Sequence, residues 1–385
     1  MAGLLAVRVG VLYTGRAEAP LRDVYIAWSG SEIVHVGRER PGGCEVVGEA
    51  PVATPAFIDA HCHIGLARAG EPFTEDDTNE RFDSVVSLAD AVHGLYMDDP
   101  MFRDSIEWGV LYSCILPGSG NIIGGRAAVI RNYGRDAEEA FIRHAGLKAA
   151  LGYNPKSTRD WKGLRPYTRM GVVAILRKWL MKARDAMRSI EEGRKRPEDF
   201  EPELRALFPV LRGEEPLRVH VHKLDDIVAL SMLRREFGFR ATVEHAADVH
   251  SVHGFEYIRR EGFPLVYGPI DAFPYKTELR HQSWRNVGFL VKARPFYGLM
   301  TDHPVVLQRN LYLQLRYFLL HGVSREECIS IITWRNARII GVDDILGTVE
   351  PGKWASLVLW SGDPFSLESR PVMVIGEGRI LYQAE

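Results

Sequence analysis

The sequence predicts an α/β chain: a (β/α)8 barrel carrying a small β-sandwich domain formed by both chain ends. Three observations carry that expectation. Short apolar β-like runs alternate with helical segments through the middle of the chain, while both ends are rich in strands and turns. About eight such runs fit between residues 55 and 346, the number that closes a barrel. Four of them end in His or Asp, at the C-terminal strand ends where a barrel gathers its working side chains.

At 385 residues the chain exceeds the usual limit for one core, which favours a large domain with an accessory one. Hydrophobic content of 46%, charged content of 25% and a net charge of −2 are those of a soluble globular protein. No block of like charge suggests a nucleic-acid or membrane surface. The apolar start, MAGLLAVRVGVLYTG, lacks a basic leader and a small-residue cleavage site, so it reads as a first strand. Cys44, Cys62, Cys114 and Cys328 form no Cys-x-x-Cys pair and fit a reducing interior, which points to the cytoplasm.

Taken in order, Leu4–Val11, Val24–Trp28, Ile33–Val36 and Val46–Val47 read as strands, with Gly30, Gly37, Gly42 and Gly43 at the turns. Barrel strands are expected at Phe57–His63, Val110–Leu116, Ala127–Arg131, Leu147–Leu151, Leu217–His222, Ala241–His245, Phe263–Tyr267 and Tyr297–Thr301. Helices are expected at Val172–Met187, Asp226–Phe237, Leu307–His321 and Arg325–Arg335. Strands at Ser356–Trp360, Val372–Ile375 and Ile380–Tyr382 close the chain. The expected division is a composite β-domain from 1–54 and 347–385, around a barrel from 55–346. No glycine fingerprint for a dinucleotide supports an open doubly wound sheet instead.

The first barrel run, Thr54-Pro55-Ala56-Phe57-Ile58-Asp59-Ala60-His61-Cys62-His63, ends in two histidines one residue apart. Residues i and i+2 of a strand share a face, so His61 and His63 present two imidazoles side by side. Cys62 then points away, into packing. The fifth run ends in His220-Val221-His222, the sixth in Glu244-His245 and the eighth in Asp302-His303. A strand-end histidine is commonly only a hydrogen-bonding group; four such ends together point to a centre of nitrogen and carboxylate ligands.

These residues resemble the amidohydrolase superfamily, and more narrowly its imidazolonepropionase-like members. The marks are Pro55-Ala56-Phe57-Ile58-Asp59-Ala60-His61-Cys62-His63, then Asn336-Ala337-Arg338 and Leu346-Gly347-Thr348-Val349-Glu350-Pro351-Gly352-Lys353. The resemblance implies a metal-bearing barrel with a β-domain built from both ends. It makes His61, His63, His220, His245 and Asp302 the metal ligands, with His222 further into its loop as a catalytic or substrate-binding group. The implied cofactor is a divalent metal, zinc first, with iron or manganese as alternatives.

Members with two metals bridge them through a carboxylated Lys or a Glu on the fourth strand. Here that strand ends in Tyr153, where Gly-Glu-Asn-Pro is the relatives' pattern, and Lys148 lies about 16 Å below the outlet at roughly 3.3 Å per residue. One ion is therefore expected rather than two. An ion held this way lowers the pKa of water toward about 7. Asp302 would move the proton, and His245 or His222 would polarise the carbonyl. Asp59 sits deeper and reads as structural.

The expected reaction is hydrolysis of a C–N bond, in an amide, cyclic amide or amidine of a small molecule. A deaminase with the same ligands, and a non-catalytic structural member of the fold, are the rivals. Tyr153, Arg169 and Arg126 are candidates for substrate contact, Arg169 as a fork for a carboxylate. Gly118, Gly120, Gly124 and Gly125 place bare backbone near the barrel mouth or simply make turns. A homo-oligomer stays open.

Overall fold

A computed structural model describes residues 3–384. Four strands open the chain: β1 (Leu4–Leu12), β2 (Leu21–Ser29), β3 (Glu32–Gly37) and β4 (Glu45–Pro55). The barrel strands follow: β5 (Phe57–Cys62), β6 (Val110–Ile115), β7 (Ile123–Arg131), β8 (Phe141–Ala150), β9 (Leu217–Val221), β10 (Ala241–His245), β11 (Leu265–Tyr267) and β12 (Tyr297–Leu299). The last three are β13 (Leu357–Trp360), β14 (Pro371–Gly376) and β15 (Arg379–Gln383).

Strands from both chain ends hydrogen-bond in one seven-stranded sheet, ordered β15-β14-β13-β4-β1-β2-β3. The join is β13 running antiparallel to β4, with Leu357 opposite Pro55 and Trp360 opposite Val52. Alternation along β1 buries Val7 and Val9 and turns Arg8 outward, as a half-buried strand requires. Val7, Val9, Ile26, Trp28, Leu357, Leu359 and Ile375 pack into a single core, so neither end can bury its apolar face alone. Each such side chain contributes roughly 1.5–3 kcal/mol when removed from water.

The middle of the chain forms an eight-stranded, nearly closed barrel sheet in the order β5 through β12. It is not all parallel, as the alternation suggested. β7 runs antiparallel to both β6 and β8, and every other pairing is parallel. The reason lies in chain length: a parallel crossover needs about a dozen residues or more. Only residues 116–122 join β6 to β7, and only 132–140 join β7 to β8.

Side chains close the gap between β12 and β5. Asn336 donates to the carbonyls of Ile58 (2.6 Å) and Leu299 (2.9 Å) and accepts from the Leu299 N–H at 3.0 Å. A Cβ on Gly298 would lie 1.8 Å from the Asn336 oxygen, so the glycine makes room for this stitch. Above it, the Asp59 carboxylate accepts from the Thr301 N–H (3.1 Å), the Thr301 hydroxyl and Gln308 (3.2 Å). Asp59 is thus structural.

Around the barrel, the helix Arg169–Glu191 begins at Thr168, whose hydroxyl accepts from Gly171 N–H, and buries Val172, Leu176, Leu180, Ala183 and Ala186. Leu307–His321, which the apolar periodicity makes one helix, breaks into turns of 3-10 helix at Gln308–Asn310 and Tyr312–Gln314 before a short α-helix, Leu315–Leu319. Two buried glutamines pull it out of register. Gln308 reaches into the barrel wall, and Gln314 bonds to Ile270 and Met300 backbone. Among the described residues no helix is long and apolar enough to cross a membrane.

Candidate metal centre

Four strand ends meet at one mouth of the barrel. His61 closes β5 with His63 just beyond it; His220 lies on β9 with His222 past its end; Glu244 and His245 end β10; and Asp302 follows β12. His245 and Ala246 sit at φ 78° and 51°, and Asp302 at φ 52°. Left-handed backbone is costly for residues with a Cβ and persists only where surroundings hold it. Here the Ala246 N–H is tied to Val221 O (2.9 Å), the Asp302 N–H to His61 O (3.1 Å) and the His63 N–H to His303 O (3.0 Å). The turn at His245 matters for chemistry. Glu244 pairs in register with His220 and points inward, so an ordinary strand would send His245 outward.

The hydrogen bonds assign the tautomers. His63 Nδ1 faces the Leu116 carbonyl at 2.7 Å and His245 Nδ1 the Gly268 carbonyl at 3.0 Å. A carbonyl only accepts, so both Nδ1 atoms carry the proton. His61 Nδ1 likewise donates to the Glu244 carboxylate at 3.0 Å. Each ring then turns its Nε2 inward. The Nε2 atoms of His63 and His61 lie 3.2 and 3.7 Å from the same Asp302 oxygen, and the ligand atoms of His61, His245 and Asp302 all fall within 4.8 Å of one another.

Lone pairs facing a carboxylate repel it unless a cation lies between. The Nε2 atoms of His61 and His245 are buried with no hydrogen-bond partner in the protein. Histidines that bind metal characteristically donate the other N–H to a carboxylate or carbonyl, as these three do. The residues present therefore fit a divalent ion.

The charge balance agrees. Burial drives His245 down to about 3 and, with Lys148 nearby, holds His61 well below its ordinary value; both rings are neutral at neutral pH. Burial pushes the Asp302 carboxyl up, while positive charge at His245, a hydrogen bond from His63 and charge at His63 and His61 hold it well below the usual carboxylate range. With His245 and His61 stripped of that charge by burial, a divalent ion supplies it instead.

Beneath the histidines lies a buried charged layer. Arg218 Nη2 bonds to Glu244 Oε1 at 3.0 Å and to Ala60 O at 2.9 Å. Lys148 pairs in register with Arg218, is fully buried and donates to Pro117 O at 3.0 Å. Burial lowers its pKa to about 8, with Asp302 and Glu244 opposing. A fixed layer of this kind orients His61 from below at a desolvation cost.

His220 and His222 form a second group with His245, their ring nitrogens within 4.8 Å of one another. Burial holds both His220 and His222 well below the ordinary value. Facing them is Glu278, which the sequence did not single out. Of the three substrate candidates, Tyr153 comes nearest: its N–H donates to Glu278 Oε2 at 2.9 Å. Arg169 is paired with Asp226, Nε to Oδ1 2.7 Å. Arg126 pairs with Glu215, which precedes β9 at the opposite end of the barrel from the histidines. The glycines of the loop after β6 serve packing: a Cβ on Gly118 would meet Asn79 at 2.2 Å and one on Gly120 would meet Trp161 at 2.5 Å.

Glu244 and Arg218 left a signal in the sequence, as charges inside apolar runs two residues or fewer from a strand-end histidine. Glu278 left none, since it lies on the long excursion after β11.

The chain is similar to known proteins. The profile of the Amidohydrolase family matches residues 286–382. The crystal structure of an amidohydrolase from Thermotoga maritima MSB8 is 30% identical, superposes with a TM-score of 0.91 and covers 99% of this chain and 100% of its own. Amidohydrolase tasK of Hapsidospora irregularis is 28% identical over 356 residues, 84% of this chain. An imidazolonepropionase of Picrophilus torridus is 25% identical over 154 residues, 39% of the chain. The matched stretches span 36% of the length of each of these last two relatives.

Proposed function

The chain belongs to the amidohydrolase superfamily, and from that premise we propose that it hydrolyses a C–N bond of a small molecule. The bond is that of an amide, cyclic amide or amidine rather than a main-chain peptide. One observation carries the reading: His61, His63 and His245 each commit Nδ1 elsewhere and turn Nε2 toward Asp302. These four would hold the divalent ion, zinc first and iron or manganese as alternatives, with His220 facing them from β9. Such an ion acidifies water and polarises a carbonyl.

The chain's own groups do the rest. Asp302, kept ionised, accepts a proton from water and returns it to the leaving nitrogen. Glu244 fixes the His61 tautomer, and the Gly268 carbonyl fixes that of His245. Cys44, Cys62, Cys114 and Cys328 are all buried and unpaired, which supports a reducing, cytoplasmic setting.

Metal analysis and a substrate panel on one sample test the proposal. A divalent ion should co-purify, its occupancy should fall in His61→Ala and His63→Ala, and an amide, cyclic amide or amidine should be turned over. Full occupancy in the double His→Ala variant would remove the assignment. Ammonia released from purines, pterins or pyrimidines would make the chain a deaminase. Protein inert after addition of zinc, manganese or iron would make it a non-catalytic member of the fold.

A further inference from the structure

The excursion between β11 and β12 returns to the barrel mouth at Glu278, which is only 3% exposed. Its Oε1 lies 3.7 Å from His220 Nε2 and 3.7 Å from His222 Nε2. Neither ring nitrogen of His220, nor Nδ1 of His222, has a hydrogen-bond partner in the protein. Buried imidazoles without partners are costly, and three ligand atoms in this arrangement resemble the His61, His63 and Asp302 group across the mouth. Two donors each about 2.0–2.2 Å from an ion can stand up to roughly 4.2 Å apart, so 3.7 Å is within reach of a shared cation.

The other carboxylate oxygen is anchored just past the fourth barrel strand. Oε2 accepts from the backbone N–H of Tyr153, the first residue of the short helix Tyr153–Lys156 that follows β8. Gly152 clears the approach: a Cβ there would stand 2.9 Å from Oε2, and its φ of +79° suits glycine. One carboxylate oxygen is thus fixed by backbone while Oε1 faces the two histidines.

We infer that Glu278 is the carboxylate ligand of a second divalent-cation position, shared with His220 and His222. The inference rests on the metal-dependent reading above. Lys276 is the competing cation: its Nζ lies 2.9 Å from Glu278 Oε1 and 2.7 Å from Asn154 Oδ1. Held by Asn154, the ammonium neutralises the carboxylate when no ion is bound and must yield Oε1 when one is.

Metal stoichiometry and affinity decide it, read by mass spectrometry and chelator competition with Zn(II), and by the absorption spectrum with Co(II). The full-length chain should take up two ions of unequal affinity. Glu278→Gln should weaken the second by at least about 10–100-fold, the cost of losing even an outer partner of a metal ligand, and leave the first unchanged. Two ions bound with unchanged affinity by Glu278→Gln would overturn the inference, as would a single ion in the wild type, with Lys276 then the cation that Glu278 meets. Should Glu278→Gln not fold, Glu278→Asp, a methylene shorter, gives the same reading. One ion lost only on changing His61 or His63 would leave the proposed function standing; no bound ion at all would end both readings.

Discussion

Asp302 combines two demands that seldom meet in one residue: a left-handed backbone and an ionised, buried carboxylate facing imidazole lone pairs. Asparagine tolerates the same backbone conformation, so Asp302→Asn should keep the fold and most of the shape. It removes the proton acceptor. Turnover should fall about 10²–10⁴-fold, the usual worth of positioned acid–base catalysis, while the melting temperature moves little. Near-wild-type kcat in correctly metallated Asp302→Asn would take Asp302 out of the chemistry. The histidines make a second prediction. His61, His220, His222 and His245 all have folded-state pKa values below the ordinary 6.5. The unfolded chain therefore binds more protons than the folded one once pH drops below about 6.5, and the metal-free protein should lose stability there. The slope is up to about 1.4 kcal/mol per pH unit for each ring that stays neutral in the fold. Asp59, raised to about 6 by burial, acts with the opposite sign: its contribution is lost as pH rises through 6. With His303 lowered to about 4, five rings stand against the raised carboxyls of Asp59 and Asp226 and set the balance. Melting curves of chelator-treated protein from pH 7.5 to 5.5 should fall toward acid; a flat or rising profile would contradict the assignment.

At the scale of elements, the barrel's weak seam is between β12 and β5, where side chains stand in for a strand ladder. Asn336 alone satisfies three backbone groups across that seam. It is aimed there by the stretch Ile331–Arg335, a π-helical turn between the α-helices Arg325–Ser330 and Asn336–Ile340. Asn336→Ala should leave the Leu299 N–H and two carbonyls buried without partners. A loss of about 3 kcal/mol or more follows from the roughly 1–3 kcal/mol that each buried unsatisfied group costs. Because His61 and Asp302 flank the seam, metal affinity should fall with it. Chemical denaturation alongside metal titration measures both, and unchanged stability would show that the seam closes without Asn336.

For the whole molecule, the seven-stranded sheet binds the two chain ends around the barrel. We take 1–54 and 347–385 as one composite domain and 55–346 as the barrel. Truncation after Ile345 removes β13, β14 and β15, exposing the β4 edge and the apolar face formed by Val7, Val9, Ile26 and Trp28. The shortened chain should be poorly soluble and melt well below the full chain. Equal solubility and heat resistance would show that the ends do not depend on each other.

The sequence by itself determined much of this. Strand-end histidines at 61 and 63 and at 220 and 222 follow from period-2 alternation, and His245 and Asp302 from the ends of apolar runs, both local properties of the chain. The strands of the two β-rich ends are equally local in origin. Tertiary structure decided the rest. The reversal of β7 was implicit in two short connections, but only pairing showed it. The helix expected at Leu307–His321 gave way because Gln308 and Gln314 find partners in the barrel wall, which no periodicity records. His245 faces inward through a left-handed residue that alternation would have turned outward. Arg169 and Arg126 are already engaged by Asp226 and Glu215, distant in sequence. Glu278 reaches His220 and His222 from a loop nearly sixty residues downstream. A metal site is a meeting of side chains across such separations, and sequence spacing specifies the meeting only when the ligands share a strand.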